Sequence, residues 1–146
     1  DTFKATIQKN ASFHFPKDAK EVLLIANGTG IAPFLGMIQS NPKTVIHLFF
    51  GVRNCTSLSI YKPYLQFENL RTLEINFSRA PKSTQYVQDS IVKQSTLVKQ
   101  LLQNEGKIMV CGSLAMQKGV ENELEKVLQF SPNRLKKNKQ LKIDCY

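Results

Sequence analysis

The 146-residue sequence has no apolar run that approaches the length of a membrane-spanning helix. It also lacks the basic, apolar and small-residue pattern of a secretory signal peptide. The chain opens on Asp1 rather than on methionine, so we expect it to be an excerpt of a longer protein. These absences exclude an integral membrane domain as the first interpretation of the sequence.

Cysteine is scarce and scattered. The three cysteines, Cys55, Cys111 and Cys145, are odd in number, and no CxxC pair or nearby His14 or His47 completes a metal-ligand pattern. We therefore expect no metal site and no disulfide framework. A reducing compartment is the simpler interpretation, so we expect the cytoplasm or the cytoplasmic face of a membrane.

The sequence also lacks a complete nucleotide-binding motif. Residues 22–36 read as a buried strand, a glycine turn and the start of a helix, but Pro33 stands where G-x-G-x-x-G requires its third glycine. No Gly-Lys-Ser/Thr follows to form a P-loop. A helix that begins after Gly28 and Gly30 still offers backbone N–H groups to an anion. Phosphate binding and a plain strand–helix connection both remain open.

What is present describes a globular domain with a strong positive charge. Hydrophobic residues make up 42% and charged residues 21% of the chain, and the formal net charge is +9. Such a charge suits an anionic ligand or partner. Five basic residues near the end are either a solvated surface or a docking patch for an acidic protein. No aromatic residues separate them, so we do not expect nucleic acid as a partner. They are Arg134, Lys136, Lys137, Lys139 and Lys142.

Strand-like and helix-like segments alternate along the chain. Strands are predicted at residues 22–26, 44–51, 70–78, 107–111 and 140–146, and helices after 31 and at 58–67, 86–93, 96–104 and 114–130. This alternation predicts an α/β fold: a doubly wound, Rossmann-like and mostly parallel five-stranded sheet flanked by helices. Residues 1–16 are interpreted as a strand or arm from a preceding domain, or as an edge strand of this one. Residues 17–146 form the main domain.

Ligands of doubly wound sheets bind outside the carboxyl ends of the strands. The turns predicted there carry glycines, Gly51 and Gly112, which allow close approach of a ligand to the backbone. Ser78, Arg79 and Tyr86 in one loop suit a phosphorylated ribose with an adjoining purine. A solvated surface arginine is the alternative for Arg79.

Two other residues have simpler explanations than catalysis. Cys111 ends an apolar strand and is most simply a small buried hydrophobe, with no sequence cue for a reactive thiolate. His47 lies inside an apolar strand and is most simply a core histidine.

Six motifs together carry a family resemblance that spans about residues 13–146. In order, they resemble the NADP-binding domain of the ferredoxin–NADP reductase superfamily, in the branch of diflavin reductases and sulfite reductase flavoproteins. The motifs are Gly28-Thr29-Gly30-Ile31-Ala32-Pro33-Phe34, Leu48-Phe49-Phe50-Gly51-Val52-Arg53, Phe77-Ser78-Arg79, Tyr86-Val87-Gln88, Val110-Cys111-Gly112 and Asp144-Cys145-Tyr146. Two positions depart from the pattern: Ala26 replaces a frequent glycine, and Thr84 replaces a lysine.

The resemblance implies a nucleotide site shared among these motifs. Gly28, Thr29 and Gly30 would meet the pyrophosphate and nicotinamide side of NADPH. The 2′-phosphate would bind Ser78 and Arg79, and the adenine would stack on Tyr86. Three further residues would belong to the same groove: Gln88 near the adenine, Arg53 at its border, and Gly112 where the ligand approaches the backbone.

The resemblance also implies a redox role. Cys111 would lie beside the nicotinamide, Asp144 would orient it or stabilise charge, and Tyr146 would stack on a flavin. NADPH would pass a hydride to FAD held mainly by a preceding domain absent from this chain. Electrons would continue to an acceptor such as a flavodoxin-like or haem protein. The alternative is a non-catalytic Rossmann-like nucleotide-binding or protein-docking module.

Overall fold

Five parallel strands form one sheet in the order β3-β2-β1-β4-β5 in this computed structural model, which describes residues 2–7 and 9–146. The predicted doubly wound α/β fold is confirmed, and every predicted strand is found with small shifts at its ends. The strands are β1 Glu21–Asn27, β2 Val45–Val52, β3 Leu70–Phe77, β4 Lys107–Gly112 and β5 Leu141–Cys145.

The central strand is covered on both faces. Val22 to Ala26 in β1 have no solvent exposure, as a continuous apolar run in a parallel sheet requires. Because side chains alternate along a strand, Leu24 joins one hydrophobic cluster and Leu23 and Ile25 join the other. The sheet therefore separates two cores, which hold it in a three-layer sandwich.

Six α-helices cover these faces in the described part of the chain. Helices α1 and α2 lie over one core, and α3 to α6 lie over the other. The helices are α1 Ala32–Ser40, α2 Cys55–Ser59, α3 Asp89–Lys93, α4 Ser95–Gln103, α5 Leu114–Leu128 and α6 Asn133–Lys137. Short 3-10 turns at Gly28–Ile31 and Lys62–Tyr64 complete the list.

Two short helices differ from the sequence prediction. The predicted helix at 58–67 is wrong, since α2 occupies Cys55–Ser59 and only a 3-10 turn follows. Asn54 starts α2 by accepting the Ser57 N–H at 2.9 Å, and Pro63, which has no N–H, opens a separate turn. Helix α6, which follows Pro132, was not predicted.

The N-terminal segment is an irregular arm in the residues that the structure describes. Residues 2–7 and 9–20 contain neither helix nor strand, so the alternative of an edge strand is not found there, while Asp1 and Gln8 lie outside the described residues. The buried ring of Phe13 packs at 6.0 Å from that of Phe34. The Lys142 ammonium donates to the His14 carbonyl at 2.9 Å. The end of the arm is thus held against the domain.

Candidate functional site

A cleft of about 820 Å³ opens at the carboxyl ends of β1 to β4. From β1 the chain adds β2 and β3 on one side of the sheet and then returns to add β4 and β5 on the other. The order of the strands therefore reverses between β1 and β4, and ligands of doubly wound folds bind at this switch point. Most of the predicted site residues line this cleft. They are Gly28, Thr29, Arg53, Ser78, Tyr86, Gln88 and Tyr146.

The turn after β1 forms the floor of the cleft. Gly28 has φ +54°, in the left-handed region that favours glycine. Gly30 is buried beneath the surface, where an added Cβ would lie 2.2 Å from the Cys111 carbonyl oxygen. No side chain caps the 3-10 turn, so its first N–H groups suit an anion. The Ala32 N–H that begins α1 already donates to the Thr29 carbonyl, and Pro33 has no N–H. The lack of a side chain at Gly30 therefore lets this turn pack against the Cys111 backbone.

Asn27 joins the ends of β1 and β4. Its Oδ1 accepts the Ser113 N–H at 2.9 Å, and its Nδ2 donates to Ser113 Oγ at 3.1 Å. A Cβ on Gly112, which has φ +151°, would lie 2.0 Å from the same Oδ1. The absent Cβ of Gly112 leaves room for Asn27, and Gly112 itself does not line the cleft. Nothing in the local sequence around Asn27 indicates this contact with Ser113.

Main-chain hydrogen bonds tie the turns after β2 and β3 together. The Ser78 N–H donates to the Val52 carbonyl at 2.9 Å, and the Arg79 N–H donates to the Arg53 carbonyl at 2.8 Å. Arg53 and Ser78 line the cleft, whereas the exposed Arg79 lies just outside its lining. The backbones of two arginines are thus anchored side by side at one edge of the cleft.

Tyr86 and Gln88 stand on the loop that leads into α3. The Tyr86 N–H donates to Asp89 Oδ2 at 2.8 Å, and the Tyr86 side chain is 52% exposed. An exposed aromatic face in a cleft that is also lined by an arginine is suited to a purine base. Gln88 lines the same part of the cleft, half-buried against α5.

Tyr146 lies at the other end of the cleft. Its N–H donates to the Gly112 carbonyl at 2.9 Å, which extends the pairing of β4 and β5 by one residue. Its hydroxyl lies 2.7 Å from Thr29 Oγ1, and its side chain is 68% exposed. The ring therefore stands over the Gly28–Ile31 turn.

Cys111 and Asp144 are paired neighbours on β4 and β5, beneath the cleft rather than in its lining. The Cys111 side chain is 4% exposed. Burial, followed by the nearby charges of Asp144 and Cys145, raises the pKa of the Cys111 thiol to about 11. The thiol is neutral at physiological pH, which argues against a covalent nucleophile.

The other candidate side chains have structural partners. All three cysteines are free, and no cluster of metal-binding side chains occurs in residues 2–7 and 9–146. Buried His47 lies with Nε2 2.7 Å from Glu21 Oε1. In the basic run, Lys136 pairs with Glu121, and the Arg134 guanidinium lies 5.0 Å from the Phe130 ring centre. None of the helices that the structure describes could cross a bilayer.

Comparison with known proteins gives consistent matches. The sequence profile of one family, described as "Oxidoreductase NAD-binding domain", matches residues 24–122. The chain is 35% identical over 135 residues to the self-sufficient cytochrome P450 monooxygenase CYP505E5 of Aspergillus niger, covering 80% of this chain and 13% of that protein.

Two further relatives carry flavoprotein or diflavin names. The chain is 32% identical over its whole length to the sulfite reductase [NADPH] flavoprotein alpha-component of Aliivibrio fischeri, of which it covers 28%. It is 33% identical over 121 residues to the NADPH-dependent diflavin oxidoreductase 1 of Candida albicans, covering 77% of this chain and 20% of that protein. The chain thus spans between 13% and 28% of the length of these relatives.

Proposed function

The chain belongs to the oxidoreductase NAD-binding domain family, and from this premise we propose that it binds NADPH in the cleft for hydride transfer to FAD. The membership agrees with the family predicted from the six motifs. The observation that carries the proposal is the cleft at the switch point of the sheet, which gathers side chains from separate predicted motifs.

The residues present fit a dinucleotide phosphate. The uncapped turn at Gly28–Ile31 supplies backbone donors for a pyrophosphate, and Gly28 puts no side chain in its way. Arg53 and Ser78 supply a cation and a hydroxyl on the β2–β3 side. Arg79, at the rim, is the candidate ligand of a 2′-phosphate, which a guanidinium binds through paired hydrogen bonds.

The strand order sets the direction of the ligand. Tyr86 stands beside β3 and β2, while Tyr146 stands beside β4, so the two aromatic side chains mark opposite ends of the cleft. We place the adenine on Tyr86 with Gln88 nearby, the pyrophosphate over Gly28 and Thr29, and the nicotinamide near Tyr146. Gly30 and Gly112 lie beneath this ligand, where the absence of side chains permits close packing against Cys111 and Asn27.

The chain's own residues would orient the nicotinamide. Cys111, neutral and buried, supplies a soft apolar surface beneath that end of the cleft, and Asp144 on the adjacent strand supplies a negative charge. FAD, when bound by its own domain, would supply the electron-accepting chemistry. The Tyr146 ring covers the site and must shift or stack as the nicotinamide enters.

The proposal also concerns the longer protein to which this domain would belong. The names of the relatives include flavoprotein, diflavin oxidoreductase and P450 monooxygenase. We propose that residues 1–16 connect to an FAD-binding domain of the same protein, which passes electrons to a flavodoxin-like or haem acceptor in the cytoplasm or on the cytoplasmic face of a membrane.

The experiment is calorimetric titration of the 146-residue chain with NADP⁺, adenosine 2′,5′-bisphosphate and NAD⁺. We expect the two ligands that carry a 2′-phosphate to bind, and NAD⁺ to bind much more weakly. A chain that binds none of them while remaining folded would contradict the proposal and favour the protein-docking module.

A further inference from the structure

Gly119 lies in the interior of α5, where glycine is a poor helix former. Its missing side chain leaves space for Gln88. An added Cβ would lie 2.7 Å from Gln88 Nε2, 2.8 Å from Cδ and 3.2 Å from Cγ. The first two separations are shorter than real Cβ contacts, so the Gln88 amide lies where the side chain of a larger residue at 119 would be.

The backbone of Gln88 is fixed on both sides. Val87 next to it is 3% exposed, and the Gln88 carbonyl accepts the Ile91 N–H at 3.0 Å. Ser90, 1% exposed, accepts a hydrogen bond from the buried Asn76 amide at 2.7 Å, which anchors α3 to β3. Steric overlap with a side chain at 119 would therefore displace the flexible Gln88 side chain rather than its backbone.

We infer that Gly119 is a positioning residue, because its missing side chain leaves the space in which the Gln88 amide lies and can meet the adenosine half of the ligand. This inference rests on the proposed function. An amide that offers a donor and an acceptor suits a ribose hydroxyl or the edge of the base. The stability of α5 is lower with glycine than it would be with alanine, and the placement of Gln88 is what that glycine permits.

The chain offers a matched control in Gly36. It lies in α1, is exposed, and an added Cβ there would meet nothing within 4 Å. Gly119→Ala and Gly36→Ala both replace a helical glycine by the best helix former. Only the first displaces a residue of the cleft.

The test measures thermal unfolding and the affinity for adenosine 2′,5′-bisphosphate in Gly119→Ala, Gly36→Ala, Gln88→Ala and the Gly119→Ala/Gln88→Ala double variant. We expect both glycine variants to unfold at or above the wild-type temperature. Of the two glycine variants, only Gly119→Ala should weaken binding of the bisphosphate, by about three- to tenfold, as for one lost hydrogen bond. In the Gln88→Ala background it should have no further effect. Equal affinities of the two glycine variants, or a full loss that persists without Gln88, would overturn the inference.

A second measurement does not require ligand. The side-chain amide signals of Gln88 in a ¹H–¹⁵N spectrum, assigned by their loss in Gln88→Ala, should shift in Gly119→Ala and remain in Gly36→Ala. If the Gln88 signals do not shift in Gly119→Ala while the wild-type chain binds the bisphosphate, only the positioning role of Gly119 is refuted. A wild-type chain that does not bind the bisphosphate would refute the proposed function, and the positioning role with it.

Discussion

The hydroxyl groups of Thr29 and Tyr146 lie 2.7 Å apart and form a hydrogen bond between residues 117 positions apart in the chain. Thr29 belongs to the turn proposed for the pyrophosphate, and Tyr146 follows β5. The bond therefore ties the cover of the cleft to its floor. A ligand that extends to this end meets a ring held in place, whereas a shorter ligand does not.

Tyr146→Phe should raise the affinity for NADP⁺ by about two- to fivefold, because the ring no longer has a hydrogen bond to break before it moves. The affinity for adenosine 2′,5′-bisphosphate, which lacks the nicotinamide half, should be unchanged. Calorimetry with both ligands checks this expectation. A weaker NADP⁺ complex would instead mean that the Tyr146 hydroxyl supports Thr29 as it binds phosphate.

Arg79→Ala should weaken NADP⁺ binding by about 10- to 100-fold, as expected for the loss of charge-assisted hydrogen bonds to a phosphate. NAD⁺ has no 2′-phosphate, so its affinity should change little. The effect should shrink as salt is added, because Arg79 is exposed. Arg71→Ala is the control, since Arg71 is also exposed but lies at the opposite end of β3. Equal losses for both nucleotides would rule out 2′-phosphate recognition by Arg79.

Asn27→Asp should leave the fold stable and weaken NADP⁺ by about tenfold at low salt. A carboxylate can still accept the Ser113 N–H, and Ser113 Oγ can donate to it, but its charge would repel the pyrophosphate. Asn27→Ala should instead affect stability more than nucleotide affinity. It removes the bonds to Ser113 and should lower the free energy of unfolding by about 1–3 kcal/mol. Unfolding curves and NADP⁺ titrations of both variants separate the contact with Ser113 from the effect of charge on the nucleotide. Equal NADP⁺ affinity of Asn27→Asp and wild type would contradict a pyrophosphate close to residue 27.

The raised pKa of Cys111 predicts a loss of stability in alkali. Between pH 9 and 11 the thiol ionises in the unfolded chain but not in the folded one, so the free energy of unfolding falls as the pH rises. At constant temperature, Cys111→Ala should reduce this fall by up to about 2 kcal/mol. Cys55→Ala, which removes an exposed free cysteine, is the matched control. Identical slopes in wild type and Cys111→Ala would show that the Cys111 thiol ionises equally in both states.

The fold could be predicted because its main signals are local. Buried parallel strands such as β1 and β2 appear as apolar runs, and turns such as Gly28 to Gly30 separate them from helices. Short helices were harder, since α2 depends on one cap at Asn54. Five-residue segments like α6 carry too few residues to show a helical period.

Candidate site residues could be grouped from the sequence alone only where they share one loop or one motif. Ser78, Arg79 and Tyr86 share a loop, so their chemistry could be combined before the fold was known. The contact of Asn27 with Ser113 joins residues 86 positions apart, and that of Gln88 with Gly119 joins the loop before α3 to α5. Such pairs become visible only when the strands are assembled, because nothing in either local sequence refers to the other.

The main-chain bonds from Ser78 to Val52 and from Arg79 to Arg53 continue the sheet beyond its last strand residues. The loops that carry both arginines are therefore preorganised, and their backbone conformational entropy is lost during folding rather than during binding. Association then requires only that long side chains choose rotamers around an incoming anion. The rate of capture should follow the electrostatic attraction of the basic domain, with no slow ordering of a loop.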